Sequence, residues 1–584
     1  MKKSILKRIF AILLSSAIMF SACASIPIST FSVSAAETAS NNIPSAVTGL
    51  KFTSQTNSVT LSWNESEGAS GYYIYLKSSK EPYNFYGYAT VEGGKNTSWT
   101  SENLSSGRIY EFRVLPYKTV DSKIYKGDYA EISTITIPAT VRKVIVSDIT
   151  DTSLMLKWGA VTNADGYCIY RRFESESEPN LIQTINGSQT TQWTDTELDS
   201  GTACDYAVKA YKEFNGEKIY SDSVWVSGST NPSAVTNLKI SSRSADKITL
   251  NWFAANGITS YDIYQESKKT PGTFARVGTV DANTTTYVRE GLSSGTEYTF
   301  RVFPIKSYQD RTYKGTYAEI KTSTLPGDVR KIVASDIGET SITVNWGAVN
   351  GANGYQIYRR LKTEKNYRRV KTIPDSSIKK WTDNNLESGK DYYYAIRSYK
   401  KYNGQIFYSG YIKIPTSTLP SAVKNLKTAS RTATAIKVSW DISDGTTTYD
   451  IYQESAKNPG TFVKIGNTTN GKIKAYVIRE LASGRDYTFR VQPIKEVGDK
   501  TYKGQYKDIA TATLPANVRK VITTGTTKTS TTLKWGLVSG ADGYVIDRKL
   551  TTATDYERVQ VVNGKDTVQW TDTGLSKVRI MIIL

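Results

Sequence analysis

A tryptophan returns at Trp63, Trp158, Trp252, Trp346, Trp440 and Trp535, in steps of 94 or 95 residues. Prolines keep the same step at Pro44, Pro138, Pro232, Pro326, Pro420 and Pro515. A chain that repeats itself at a fixed step folds as a row of similar units, and a unit of this size can close a core without disulfides or metal. The 584 residues therefore predict six modules. They fall at residues 44–137, 138–231, 232–325, 326–419, 420–514 and 515–584, the last cut short.

The modules alternate between two types. Odd modules open with Pro-Ser-Ala-Val at Pro44, Pro232 and Pro420, and carry Tyr-Lys-Gly at Tyr125, Tyr313 and Tyr502. Even modules carry Gly-Tyr-x-Ile at Gly166, Gly354 and Gly543, and Trp-Thr-Asp at Trp193, Trp381 and Trp570. The larger repeat is thus a pair. Within a module the hydrophobic period is two. In module four Ile342, Val344 and Trp346 alternate with polar residues, Tyr355 and Ile357 share a face, and Tyr392, Tyr394 and Ile396 alternate again. Gly351, Gly354, Pro374-Asp375, Gly389 and Asn403-Gly404 punctuate these runs. Six or seven short strands separated by turns predict an antiparallel sandwich.

On these residues the modules resemble fibronectin type III domains. A Trp stands on the second strand, Tyr-x-Ile on the third, and Leu-x-Ser-Gly-x-x-Tyr or a close variant before the sixth, at residues 104–110, 292–298, 386–392 and 481–487. The resemblance implies an all-β chain of tandem immunoglobulin-like β-sandwiches in an extended array. It also implies tyrosine corners at Tyr110, Tyr298, Tyr392 and Tyr487, with each hydroxyl bonded back to the backbone. Cys204 holds that position in module two, which is expected to lack the bond and to be among the less stable modules. Joints such as Thr324-Leu325-Pro326 leave almost no linker, and proline stiffens them. At roughly 35 Å per module, five modules would reach on the order of 170 Å.

Composition narrows the chemistry. The chain has no histidine, which removes the commonest general base and transition-metal ligand. The string Gly291-Leu292-Ser293-Ser294-Gly295 fits the hydrolase elbow, but it lies in a loop before a strand and has no histidine to serve it. Asp195, Asp383 and Asp572 recur in the Trp-Thr-Asp motif and are expected to cap turns. No catalytic, cofactor-binding or metal-ligating residue is assigned, and no cofactor is expected.

The formal net charge of +20 favours acidic partners over basic ones. Lys2, Lys3, Lys7 and Arg8, then the apolar run from Ile9 to Phe20, then small residues up to Ala36, read as a secretion signal over residues 1–36. Lipid attachment at Cys23 is the alternative. No later stretch is apolar and long enough to span a bilayer. Cys168 points outward and Cys204 inward by strand alternation, so two free thiols are expected.

Ten of the eleven tryptophans recur at inward positions; Trp225, whose counterpart is Lys413, does not. It is the one surface-contact candidate, as a ring that stacks on sugar or meets a partner, or else as a locally packed surface residue. Tyr-Lys-Gly-x-Tyr shapes the module joint or forms a contact surface. Arg359, Arg360, Lys362, Lys365, Arg368, Arg369 and Lys371 form a basic cluster absent from module two, either a solvated face or an acidic-polymer contact. No specific nucleic-acid motif accompanies it.

After Leu575 the expected Gly-Lys-Asp-Tyr is missing. One adenine restored near the front of the codons for Lys577 to Ile582 would recreate it, so a one-base deletion is expected, and resequencing the gene decides it. The reading as a whole is a monomeric, secreted or cell-surface spacer or adhesion protein without catalysis, with cell-wall or plant-type polysaccharide or another surface protein as partner. The alternative is the accessory region of a polysaccharide-degrading enzyme.

Overall fold

The computed structural model describes residues 42–77, 84–576 and 581–583. The secretion signal and Cys23 lie outside the described residues, as do residues 577–580, where the frame shift was expected. The chain divides into two compact units, residues 1–239 with 250–287 and 299–320, and residues 240–249, 288–298 and 321–584.

All described secondary structure is β. Module four serves as the reference. Its eight strands are Val333–Ser335, Ile342–Asn345, Gly354–Leu361, Arg368–Ile373, Lys380–Asp383, Asp391–Tyr402, Gln405–Tyr408 and Ile412–Ser417. The second strand pairs with the first and fifth, giving a three-stranded sheet. The third pairs with the fourth and sixth, and the sixth also takes the seventh and eighth, giving a five-stranded sheet. The same two sheets recur in modules one, two, three and five.

There are eight strands rather than six or seven because the sixth runs for 12 residues and then doubles back at Asn403-Gly404. Asn403 and Gly404 both have positive φ, 46° and 74°, which is what a tight hairpin turn demands. The same hairpin recurs in modules one to five and matters at the joints.

The predicted period of two fills the core. Ile342, Val344, Trp346, Tyr355, Ile357, Tyr392, Tyr394 and Ile396 are buried in one cluster. Burying such side chains contributes about 1.5–3 kcal/mol each, which sustains an isolated sandwich. Trp346 meets Tyr355 edge-on at 5.4 Å, and the same pair stands at Trp63–Tyr72, Trp158–Tyr167, Trp252–Tyr261, Trp440–Tyr449 and Trp535–Tyr544. Each tyrosine hydroxyl accepts a backbone N–H six residues before it, as Val349 N does to Tyr355 Oη at 3.1 Å. The tyrosine corners form as expected: the Tyr110, Tyr298, Tyr392 and Tyr487 hydroxyls accept N–H bonds from Ser105, Ser293, Glu387 and Ala482 at 2.8 to 3.0 Å.

Asp195, Asp383 and Asp572 correct the sequence reading. They do not cap turns. Each is buried near or at the end of the fifth strand and pairs with an arginine on the third strand of its module, Arg171, Arg359 and Arg548. In modules two and four Tyr206 and Tyr394 on the sixth strand donate to the same carboxylates, at 2.6 and 2.7 Å. The odd modules place Phe112, Phe300 and Phe489 where these tyrosines stand, so the polar network marks the even type.

Module six keeps the first five strands. On the edge where Gly354–Leu361 meets the sixth strand throughout in module four, the equivalent Gly543–Leu550 pairs, among the described residues, over Arg548–Leu550 with Met581–Ile583.

Candidate functional surfaces

The potential elbow Ser293 sits in the loop before the sixth strand, where its N–H serves the corner tyrosine Tyr298 at 2.8 Å. Among the described residues no three Asp, Glu, Cys or His side chains gather as a metal site would require. The features that recur with geometric regularity are the module joints.

Each joint places a glycine of the loop before the sixth strand against a loop of the following module. The pairs are Gly201–Gly257, Gly295–Gly351, Gly389–Gly445 and Gly484–Gly540, all 56 residues apart. A Cβ added to any of these eight glycines would lie within 3.0 Å of its opposite number's backbone. All eight have positive φ, between 56° and 77°. Only glycine meets both conditions without strain. The first joint uses Gly107 against Asn163, and Asn163 Nδ2 donates to Ser106 O at 2.9 Å.

The hairpin that follows the sixth strand closes the joint from the other side, by leaning back on the preceding module. Between modules two and three, Tyr308 and Tyr313 pack on Ala203 and Ile149. There Tyr308 Oη donates to Asp205 at 3.0 Å, and Lys306 lies 3.6 Å from Glu174. Between modules four and five, Lys495 Nζ donates to Gly389 O at 2.8 Å and pairs with Asp391 at 3.0 Å. Between modules one and two, Phe214 meets Phe52 edge-on at 6.2 Å. Between modules three and four, Arg243 stacks on Phe407 at 4.2 Å, and Lys400 lies 3.5 Å from Glu297. Close backbone approach recurs at all five joints, and apolar contact and a charge pair join it between modules two and three.

Tyr-Lys-Gly-x-Tyr makes contacts both between modules and within its own. Its first tyrosine serves the joint: Tyr313 is buried against module two, and Tyr502 lines a cleft with Ala334 and Ile337 of module four. Its glycine packs on the proline that opens its own module, as Gly315 does on Pro232. The last tyrosine is exposed and covers an arginine. Arg113, Arg301 and Arg490 lie between Phe85 and Tyr129, Phe274 and Tyr317, and Phe462 and Tyr506, at 3.5 to 4.5 Å. Glu131, Glu319 and Asp508 hold the guanidiniums at 2.8 to 2.9 Å.

Trp225 lies on the last strand of module two, Val224–Ser229, opposite Ala207. The residue is 46% exposed, and the Arg172 guanidinium sits 5.5 Å from its ring. Asp205 holds Arg172 at 2.8 Å. Cys168 and Cys204 are free and buried on opposite faces of the same sheet. Burial, foremost, pushes the Cys204 thiol up to about 11.

The sequence reading missed the glycine joints. Their signal was present in the recurring Ser-Gly before the sixth strand and the second glycine at a constant offset, but only contact between modules gives that offset meaning.

Residues 45–134, 233–318 and 421–507 match the family model described as Fibronectin type III domain, which are the three odd modules. The chain is 25% identical over 502 residues to receptor-type tyrosine-protein phosphatase eta of Gallus gallus, covering 84% of this chain and 33% of the relative. It is 30% identical over 263 residues to chitinase A1 of Niallia circulans, covering 42% of this chain and 35% of the relative. It thus spans about a third of the length of these two relatives. Among solved structures, a two-domain fibronectin type III segment of chicken tenascin is 24% identical and covers 32% of this chain and 99% of its own, with a TM-score of 0.24.

Proposed function

Because the chain is a protein of tandem fibronectin type III domains, we propose that it is a secreted or cell-surface spacer without catalysis of its own. On this reading the modules serve as spacing units. The observation that carries it is the joint. Five times over, a glycine before the sixth strand meets the next module's loop, and the linkers are too short to let modules swing. Flexible linkers would suit independent ligand binders better. The absence of histidine from the sequence fits a structural role.

Two measurements test this reading. Fractionation of the producing cells should find the chain in the medium or on the surface; a cytosolic pool would overturn export. The purified chain should leave polysaccharide, ester and phosphate-ester substrates intact, and turnover that purifies with it would overturn the non-catalytic assignment.

A second reading is favoured by the likeness to a chitinase over 263 residues. On it, the modules are the accessory region of a longer polysaccharide-degrading protein. An immunoblot of the native protein separates the two, since this reading requires a band well above 64.8 kDa that carries hydrolase activity. Trp225 is the surface contact that either reading offers to a sugar ring. Retention on insoluble polysaccharide that is lost in Trp225→Ala would place the contact there.

A further inference from the structure

The outward face of the five-stranded sheet differs between modules in one respect. In module four, strand register sets three rows across it. One row runs Arg369, Tyr358, Ala395, Lys413. The row on one side contains Gln356 and Arg397, and the row on the other contains Arg360 and Tyr393. Four cations share this face, and among the described residues none has a carboxylate within ion-pair distance.

Their partners are neutral. Arg397 donates to Gln356 Oε1 at 2.8 Å and to Tyr358 Oη at 2.7 Å, and stacks on Tyr408 at 3.6 Å. Arg360 donates to the Glu364 carbonyl at 2.7 Å and lies over Tyr393 at 4.3 Å. Lys413 lies 5.7 Å from the Tyr367 ring, and Arg369 is exposed.

The same face of the other intact modules sets carboxylates among its cations, with single lysines such as Lys126, Lys209 and Lys314 lying over tyrosine rings instead. Glu131 takes Arg113 in module one, Asp205 takes Arg172 in module two, Asp262 and Glu319 take Arg276 and Arg301 in module three, and Asp450 and Asp508 take Lys464 and Arg490 in module five. Four like charges left together on one sheet cost stability through mutual repulsion and raise the local concentration of anions.

We propose that this face of module four binds an anionic polysaccharide whose charges are carboxylates, a uronate-bearing chain. Arg369 and Lys413 close the two ends of a four-strand row, about 14 Å apart at a strand spacing of ~4.8 Å. One small anion cannot bridge that distance, whereas a polymer with regularly placed charges meets all four cations. Guanidinium forks match carboxylates in geometry. Sugar hydroxyls find the hydroxyl of Tyr411, which is exposed and meets Tyr358 edge-on at 5.3 Å. Single-stranded nucleic acid fits less well, because it needs free aromatic faces for its bases, and here guanidiniums already cover Tyr393 and Tyr408.

The proposal goes beyond the spacer reading and does not depend on it. Affinity electrophoresis of the full chain at low salt, through gels containing polygalacturonate, tests it. Retardation is expected in polygalacturonate and not in its fully methyl-esterified form. Arg369→Glu with Lys413→Glu should weaken retardation about tenfold or more with no fall in melting temperature, since neither side chain is buried and the repulsion on this face is relieved. Lys437→Glu with Lys534→Glu, exposed on the three-stranded sheets of modules five and six, makes the same change in net charge and should leave retardation as it was. Equal retardation by the ester, by polyphosphate or by single-stranded DNA would overturn the assignment. So would equal weakening by the two double variants.

Discussion

Gly389 of module four and Gly445 of module five lie backbone against backbone, and neither leaves room for a Cβ on the other. Gly445→Val should therefore open this joint. A β-branched residue at a φ of +71° costs about 1–3 kcal/mol in strain alone, and the Cβ must also displace Gly389. Hydrogen exchange should rise at residues 443–447 and at the Lys495 contact. Gly404→Val is the control, at a φ of +74° with open space around the Cβ; it should pay the strain without disturbing the joint.

The buried carboxylate of the even modules should be the most sensitive polar position. Asp383→Asn removes the charge that Arg359 and Tyr394 both address, leaving a buried guanidinium unpaired. Losses of about 3–5 kcal/mol follow such a change. Denaturant unfolding should show one transition moved to lower concentration while others stay. A shift under 1 kcal/mol would show that water reaches the pair.

Alkali should unfold the chain from near pH 10. Burial, foremost, raises Tyr206 and Tyr394, and it pushes Tyr117 up to about 12, with Glu92 adding to the rise. These groups stay protonated when folded but ionise near pH 10 when unfolded. The stability they give is thus complete below that pH and is lost as pH climbs, through about 12 for Tyr117. Absorbance of tyrosinate should rise in step with loss of structure. Titration of every tyrosine at pH 10 in a still-folded chain would contradict this.

Phe173 and Cys204 should prove a compensated pair. They stand opposite each other in module two, where module four has Leu361 and Tyr392. The ring has changed strands. Cys204→Tyr alone should overpack the site and cost about 1–3 kcal/mol, whereas Phe173→Leu with Cys204→Tyr should recover most of it. A double-mutant cycle on the melting transition measures the coupling.

The Phe–Arg–Tyr stacks should resist a conservative change. Arg301→Lys keeps the charge near Glu319 but loses the flat surface between Phe274 and Tyr317. Thermal unfolding should move down by an amount close to that of Arg301→Ala.

The sandwich was legible in the sequence because its signals are local: strand period, turn glycines and the 94-residue step of Trp252, Trp346 and Trp440. The corner tyrosines followed from a seven-residue motif. The rest required contacts between distant strands. Asp383 looks like a turn residue until Arg359, 24 residues earlier, is seen beside it. The change at Cys204 has a counterpart in Phe173, which only strand register sets across from it. The basic run of module four mixed two populations: register turns Arg360 and Arg369 outward and sends Arg359 to Asp383.

The fixed joint is the centre of the account, and a distance distribution across one of them tests it most directly. Spin labels at Lys379→Cys in module four and Lys437→Cys in module five, in a chain whose own cysteines are replaced by alanine, report on the Gly389–Gly445 joint. The account predicts a single narrow distance between the labels, broadened by Gly445→Val. A broad distribution in the chain with both glycines intact would contradict it.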